Sequence, residues 1–384
     1  MLAVALALPA QQPASAPTGH SLAGLPSLNY DADEGFGYGA LLQYSDYGYA
    51  GVQPYRYILQ PAVFFTTRGR RDVTLFLDAP HLLPADWRLG AQLAREQQIT
   101  APYYGIGNFT ANDPAATAGA NPYYYRFGRT VIRSNADFQH SLGFPALRVL
   151  LGVEARNATV NTVPYDSGTT LLAAQTGQKT LPTVNARLAR VGLVWDTRDR
   201  EIGPEHGNWS EVLVQRAGRV LGGDQVFTRI TGTVRQYIPL MSNVTLAERV
   251  VMQTVHGNPA ISESFAVQSS FRDDEILGGA TSIRGIPKNR YVGKGVAFEN
   301  SELRWSATSF NLASHPARLI LSAFVDAGRV WTDGLDASQL TSDLHVGYGG
   351  GARVAFGPSF IISGDVGHSS ESTAAIYLGL GYLY

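Results

Sequence analysis

The strongest constraint on this chain is a two-residue period that runs through almost its whole length. Val191, Leu193 and Trp195 alternate with Arg190, Gly192 and Asp196. Ile230, Val234 and Ile238 oppose Arg229, Thr231, Thr233 and Arg235, and Leu319, Leu321, Ala323 and Val325 oppose Ser322, Asp326 and Gly328. Successive side chains of an extended strand point to opposite faces, so the pattern specifies strands with one apolar and one charged face. Turn signals recur between them, at Gly143-Phe144-Pro145, Pro239 to Asn243 and Gly357-Pro358. No stretch approaches the roughly 18 apolar residues that a spanning helix needs.

A soluble antiparallel sheet also alternates, but it must cover its apolar face, and no segment here reads as a covering helix. A membrane barrel turns that face to lipid, keeps its arginines and acids inside, and closes on itself so that no edge is left unpaired. Composition agrees: 16% of the residues are charged, against about 25% in a typical soluble domain. A net charge of -1 gives no electrostatic basis for a nucleic-acid partner. The absence of Cys rules out a disulfide scaffold, a thiol nucleophile and thiolate metal ligands.

The fold class is therefore all-β, a transmembrane antiparallel β-barrel of about sixteen strands. The first is expected over 24–31 and the last over 374–384. Long connections at 101–122, 163–183, 258–295 and 332–344 alternate with tight ones, which places the tight turns and both termini in the periplasm of a bacterial outer membrane. Trp195, Trp305, Trp331, Tyr382 and Tyr384 lie near strand ends and are expected in interfacial girdles. Residues 1–10 read as a signal peptide lacking its basic start, residues 11–23 as a flexible periplasmic lead-in, and residues 24–384 as the barrel.

The connection between strands 11 and 12 carries the most chemistry, Gly278-Gly279-Ala280-Thr281-Ser282-Ile283-Arg284-Gly285, followed by an alternating strand through Glu302. It resembles the signature of the BamA/TamA outer-membrane assembly factors, also called bacterial surface antigens. Four further segments resemble that family in order. They are Asn29 to Gly37, Asp196-Thr197-Arg198-Asp199 with Pro204 and Gly207, Phe324 to Gly328, and Gly379 to Tyr384. The resemblance covers residues 24–384. It implies a loop folded into the lumen, with Arg284 meeting Glu302 and Asp326, and Asp196 to Gly207 as a periplasmic turn. A guanidinium away from bulk water needs such acids on physical grounds alone. Ile286 departs from the aromatic residue the family commonly has there, which removes any aromatic packing at the loop tip.

The last strand carries Gly379, Tyr382 and Tyr384, an aromatic pattern resembling the signal by which outer-membrane proteins are recognised for insertion. With Ile376, Leu378 and Leu380 it reads as an apolar edge strand. The first strand, with Pro26 near its start, is expected to be short, so a weak seam between first and last strands is expected. The chain also departs from family members that carry POTRA modules ahead of the barrel, and resembles a barrel-only member.

These features imply insertion of outer-membrane proteins, or translocation of a partner, without catalysis, cofactor or metal. The expected partners are the bilayer, unfolded client proteins and a separate periplasmic or lipoprotein component. The alternative is a passive porin-like channel or a surface antigen whose loops bind ligands. A phospholipase-like enzyme is disfavoured, because the adjacent His140 and Ser141 of a strand point to opposite faces. Asp273-Asp274-Glu275 reads as a solvated charge run before a cation site, and Gly35-x-Gly37-x-Gly39 and Gly347 to Gly351 as small interior residues before nucleotide loops.

Overall fold

The computed structural model describes residues 18–49, 55–119, 121–166, 168–201, 203–270, 273–312, 315–356 and 360–384. The expected signal peptide and the turn at Gly357-Pro358 lie outside these residues. The first eight strands are β1 (Gly19–Asp31), β2 (Gly35–Gly48), β3 (Tyr57–Thr66), β4 (Arg70–Ala79), β5 (Trp87–Pro102), β6 (Arg126–Ser141), β7 (Leu147–Asn161) and β8 (Val184–Asp196). The second eight are β9 (Gly207–Ala217), β10 (Phe227–Met241), β11 (Val244–Gly257), β12 (Gly295–Leu312), β13 (His315–Trp331), β14 (His345–Phe356), β15 (Phe360–Ser369) and β16 (Ala375–Leu380).

All sixteen pair antiparallel with their sequence neighbours, and β1 meets β16 to close the barrel. The alternation has the polarity that lipid demands. Val191, Leu193, Val234, Ile238, Leu303 and Val325 are exposed on the outer wall, while Arg190, Arg229, Glu302 and Asp326 are buried inside. No helix among the described residues is long and apolar enough to cross a membrane. The tight connections 142–146 and 242–243 lie at one mouth, together with the longer 197–206, and the long connections 103–125, 258–294 and 332–344 lie at the other, together with the short turns 32–34 and 67–69.

Residues 258–270 and 273–294 fold into the lumen and supply nearly half of its apolar core. Val267, Ile276, Leu277, Ile283, Ile286 and Val292 pack there with Phe265, Phe127 and Phe298. A two-residue ribbon, Ala266–Val267 with Asp274–Glu275, stiffens the loop. Asp273-Asp274-Glu275 is a row of luminal ion-pair partners: Asp273 meets Arg133, Asp274 meets Arg249 at 3.1 Å and Glu275 meets Lys288 at 2.6 Å. The reading of a solvated charge run is thus corrected, because loop and wall hold these half-buried acids against basic side chains. No group of His, Cys, Asp and Glu suited to a metal occurs among the described residues.

Both ends of the sequence depart from expectation. β1 starts at Gly19, so residues 19–23 are strand and not lead-in, and β1 is long, paired with β2 over its whole length. β16 stops at Leu380. Gly381 takes a φ of +85° and turns the chain inward, so that Tyr382 and Tyr384 lie in the lumen and not in a girdle or on an edge face. The Arg304 guanidinium draws them in, lying 4.1 Å from the Tyr382 ring and 5.2 Å from the Tyr384 ring. Trp331 is also buried, with Arg329 over its ring at 4.8 Å. Trp195 and Trp305 are exposed on the outer wall, as a girdle requires.

Candidate functional site: the loop cluster in the lumen

The loop tip reaches the wall formed by β12 to β16. Two backbone features let it approach. Gly278, Gly279 and Gly285 all have φ above +90°, a region that residues with a Cβ rarely adopt. At Gly285 there is no room either, since a Cβ would sit 2.8 Å from the carbonyl of His368 on β15. The wall is equally bare opposite, and a Cβ on Gly347 of β14 would come within 2.0 Å of the Arg284 carbonyl oxygen. The interior glycines of β14 therefore make space for the loop.

Arg284 ends in a six-member charge cluster. Its Nε and Nη2 donate to the two carboxylate oxygens of Asp326 at 2.8 and 2.9 Å, and its backbone N–H donates to the same group at 3.0 Å. Nη1 donates to Glu302 at 2.8 Å and to Asp365 at 3.4 Å. The guanidinium lies 3.4 Å above the Phe324 ring. Glu302 also accepts from Arg304 at 2.8 Å and from Arg353 at 3.1 Å, and Arg353 meets Asp365 at 3.0 Å. Three guanidinium groups thus face three carboxylates, so the buried cluster carries no net formal charge. Burial works against the charge of Arg284, but Asp326 first, then Glu302 and Asp365, hold it firmly protonated.

The backbone around the arginine is pinned as well. Gly285 N–H donates to the Tyr377 hydroxyl of β16 at 3.1 Å, and the Ser369 hydroxyl donates to the Gly285 carbonyl at 2.7 Å. Ile283 and Ile286 are buried in the core beside it, so aliphatic packing fills the tip where the resemblance lacked its aromatic.

A second anchor lies at Lys288, whose ammonium meets Glu275 and Glu34, the latter in the β1–β2 turn. Burial opposes that charge too, and Glu275 and Glu34 outweigh it, raising the Lys288 pKa above its ordinary value. Lys288 N–H donates to Asp33 at 2.8 Å. Burial, then the Asp31 carboxylate, push the Asp33 carboxyl up to about 7.

The structure brings Arg284, Glu302 and Asp326 together as the resemblance implied. Asp365, Arg353, Arg304, Phe324, Tyr377 and Lys288 complete the cluster and its anchors, and the sequence reading missed them. Inward parity on β14 and β15 was the available signal for Arg353 and Asp365. Tyr382 and Tyr384 border this cluster, the single Tyr384 hydroxyl proton being shared between the carbonyls of Ala247 and Asn300, at 2.7 and 2.8 Å. Gly379 remains in β16.

The segment Asp196 to Gly207 joins β8 to β9 at the tight-turn mouth. Arg198 is held by Asp196 at 2.8 and 2.9 Å, and Asp199 accepts from the backbone N–H groups of Glu205 and His206 at 3.0 and 3.3 Å. Pro204 is buried. Gly207 allows the chain to re-enter β9, with a Cβ there falling 2.2 Å from the Thr197 carbonyl oxygen.

The chain was compared with known proteins. A family model described as the Omp85 superfamily domain matches residues 65–371. BamA from Haemophilus ducreyi lacking POTRA domains 1-3 superposes with a TM-score of 0.58 at 12% identity, over 95% of this chain and 70% of that one. CdiB from Escherichia coli superposes with a TM-score of 0.62 at 13% identity, over 94% of this chain and 62% of that one. CdiB from Acinetobacter baumannii gives a TM-score of 0.53 at 10% identity, over 94% of this chain and 59% of that one. The chain therefore spans less than two thirds of either CdiB chain, and at such identities the likeness is one of fold. No curated protein matches the sequence. The superfamily match covers most of a closed sixteen-stranded barrel with apolar walls and a charged lumen, and the chain accordingly belongs to the Omp85 superfamily of outer-membrane β-barrels.

Proposed function

We propose that this barrel helps protein chains into or across the outer membrane, acting on unfolded outer-membrane or secreted clients without catalysis or cofactor. The seam carries this reading. β1 and β16 share only the pairs Tyr30↔Leu378 and Asp31↔Tyr377, whereas β15 and β16 are in register from Ile362↔Leu380 to Gly367↔Ala375. Among the described residues the seam-side backbone of β1 below Tyr30 thus has no strand partner, and a row of unpaired amide and carbonyl groups is a template for an incoming strand. The loop cluster adjoins that seam, since Gly285 is bonded to Tyr377 of β16 and Lys288 to the β1–β2 turn. In this reading Arg284, with Glu302 and Asp326, holds the loop against both sides of the seam, and the tight-turn mouth with both termini faces the periplasm. A separate periplasmic or lipoprotein component delivers the client.

The test places the purified barrel in liposomes with an unfolded small outer-membrane barrel and follows its insertion. Acceleration that is lost in Arg284→Ala supports the reading. No acceleration, together with large steady single-channel currents, favours a passive channel. A filled lumen speaks against that second reading, because residues 261–267 and 276–292 of the loop pack an apolar core across it.

A further inference from the structure

Residues 197–201 and 203–206 lie at the tight-turn mouth, and the reading above gives them no task. Their ion pairs, however, reach opposite walls. Glu201 meets Arg88 at the start of β5 at 3.4 Å, and Glu205 meets Arg318 near the start of β13 at 3.0 Å. In the closed strand order β5 and β13 are eight places apart on a ring of sixteen. A segment rooted between β8 and β9 therefore runs across the barrel mouth.

The crossing is built to hold its shape. Arg88 is fixed by two hydrogen bonds of 2.7 Å to Asp78. Within the segment, Arg200 donates to the Gly203 carbonyl at 2.7 Å and pairs with Glu205, while Arg198 donates to the Glu201 carbonyl at 3.2 Å. Asp199 ties the outgoing strand to the returning one through the amides of Glu205 and His206. At the centre Gly203, with φ of +62°, lies against the Tyr382 ring and Ile361, so close that a Cβ would come within 2.8 Å of Tyr382. Tyr382 is the residue that Arg304 and Arg353 draw into the lumen.

We propose that residues 197–201 and 203–206 form a strap that closes the tight-turn mouth, latched to opposite walls by Glu201–Arg88 and Glu205–Arg318 and seated on Tyr382. Acids on the strap and arginines on the wall make the latch electrostatic, and both acids are accessible enough to water for the pairs to be individually weak and breakable. The strap must lift before anything enters the lumen from that side. The contact at Gly203 couples this movement to the 381–384 segment.

The chain has no cysteine, which permits a direct test in the full-length barrel. Ser322 lies two inward positions beyond Arg318 on β13 and its hydroxyl accepts from Arg353 in the lumen, so Ser322→Cys reports access past the strap. The rate of its modification by a small charged thiol reagent is followed in nanodiscs, with folding checked by heat-modifiable electrophoretic mobility. Neutralising the latch with E201Q and E205Q together should raise the rate about tenfold, the scale expected when two partly exposed ion pairs are lost. R318E alone should raise it, and adding E205K to R318E should bring it back. Unchanged rates in folded E201Q/E205Q, or failure of E205K to reverse R318E, would overturn the strap. The arms are independent of the insertion assay, so this inference and the proposed function fail separately.

Discussion

Arg284 is the residue on which the loop turns, and its partners define what replacing it does. Both oxygens of Asp326 and one of Glu302 are bonded to it. Arg284→Ala leaves these buried acids without their shared cation, a change that typically costs about 3–5 kcal/mol. The expected outcome is a folded barrel with a loosened loop, seen as faster proteolysis within residues 276–290 and a lower unfolding midpoint in urea. Arg284→Lys should fail nearly as badly, because an ammonium cannot make the two-pronged contact or lie flat on Phe324. Asp33 gives a pH dependence of opposite sense to most carboxylates. Its pKa is raised to about 7 in the folded protein, so its contribution to loop docking is complete below the ordinary aspartate value and is lost as pH rises through about 7. Hydrogen exchange at the Lys288 amide, corrected for intrinsic rates, should show protection falling across that range, and Asp33→Asn should flatten the profile. These roles were only partly legible in the sequence. Arg284, Glu302 and Asp326 stood out through resemblance and inward parity, whereas Arg353 and Asp365 join the cluster through the register between strands that parity does not give.

Among the elements, the seam is the exception in an otherwise regular wall. Every other strand pair runs through most of its length, while β1 and β16 are in ladder register at two residue pairs. β16 is short because Gly381 turns the chain inward and Arg304 binds its aromatic residues, a tertiary attraction that overrides the alternation the sequence displays through Tyr382. A disulfide between Tyr30→Cys and Leu378→Cys should lock the seam and abolish assisted insertion when oxidised, with recovery on reduction. The same bridge across Val214 and Ile230, partners in the continuous β9–β10 ladder, should leave activity unchanged. Equal loss in both locked barrels would remove the seam from the mechanism.

For the molecule as a whole, the lumen is filled from both sides. Residues 258–270 and 273–294 with their apolar core and ion pairs occupy the middle, and residues 197–201 and 203–206 with 381–384 occupy the tight-turn mouth. In planar bilayers the intact barrel should therefore give small or flickering currents, and large steady steps would contradict this plugging. Strand number, strand identity and wall polarity were all set by the sequence itself, because a two-residue period has one geometric meaning and lipid accepts only a closed sheet with its apolar face outward. The tertiary structure decided what fills the barrel. Which luminal arginine meets which acid, where β16 stops, and how Glu201 reaches Arg88 of β5 while Glu205 reaches Arg318 of β13 depend on contacts between distant parts of the chain. Those contacts exist only once closure has brought opposite walls within reach of one side chain.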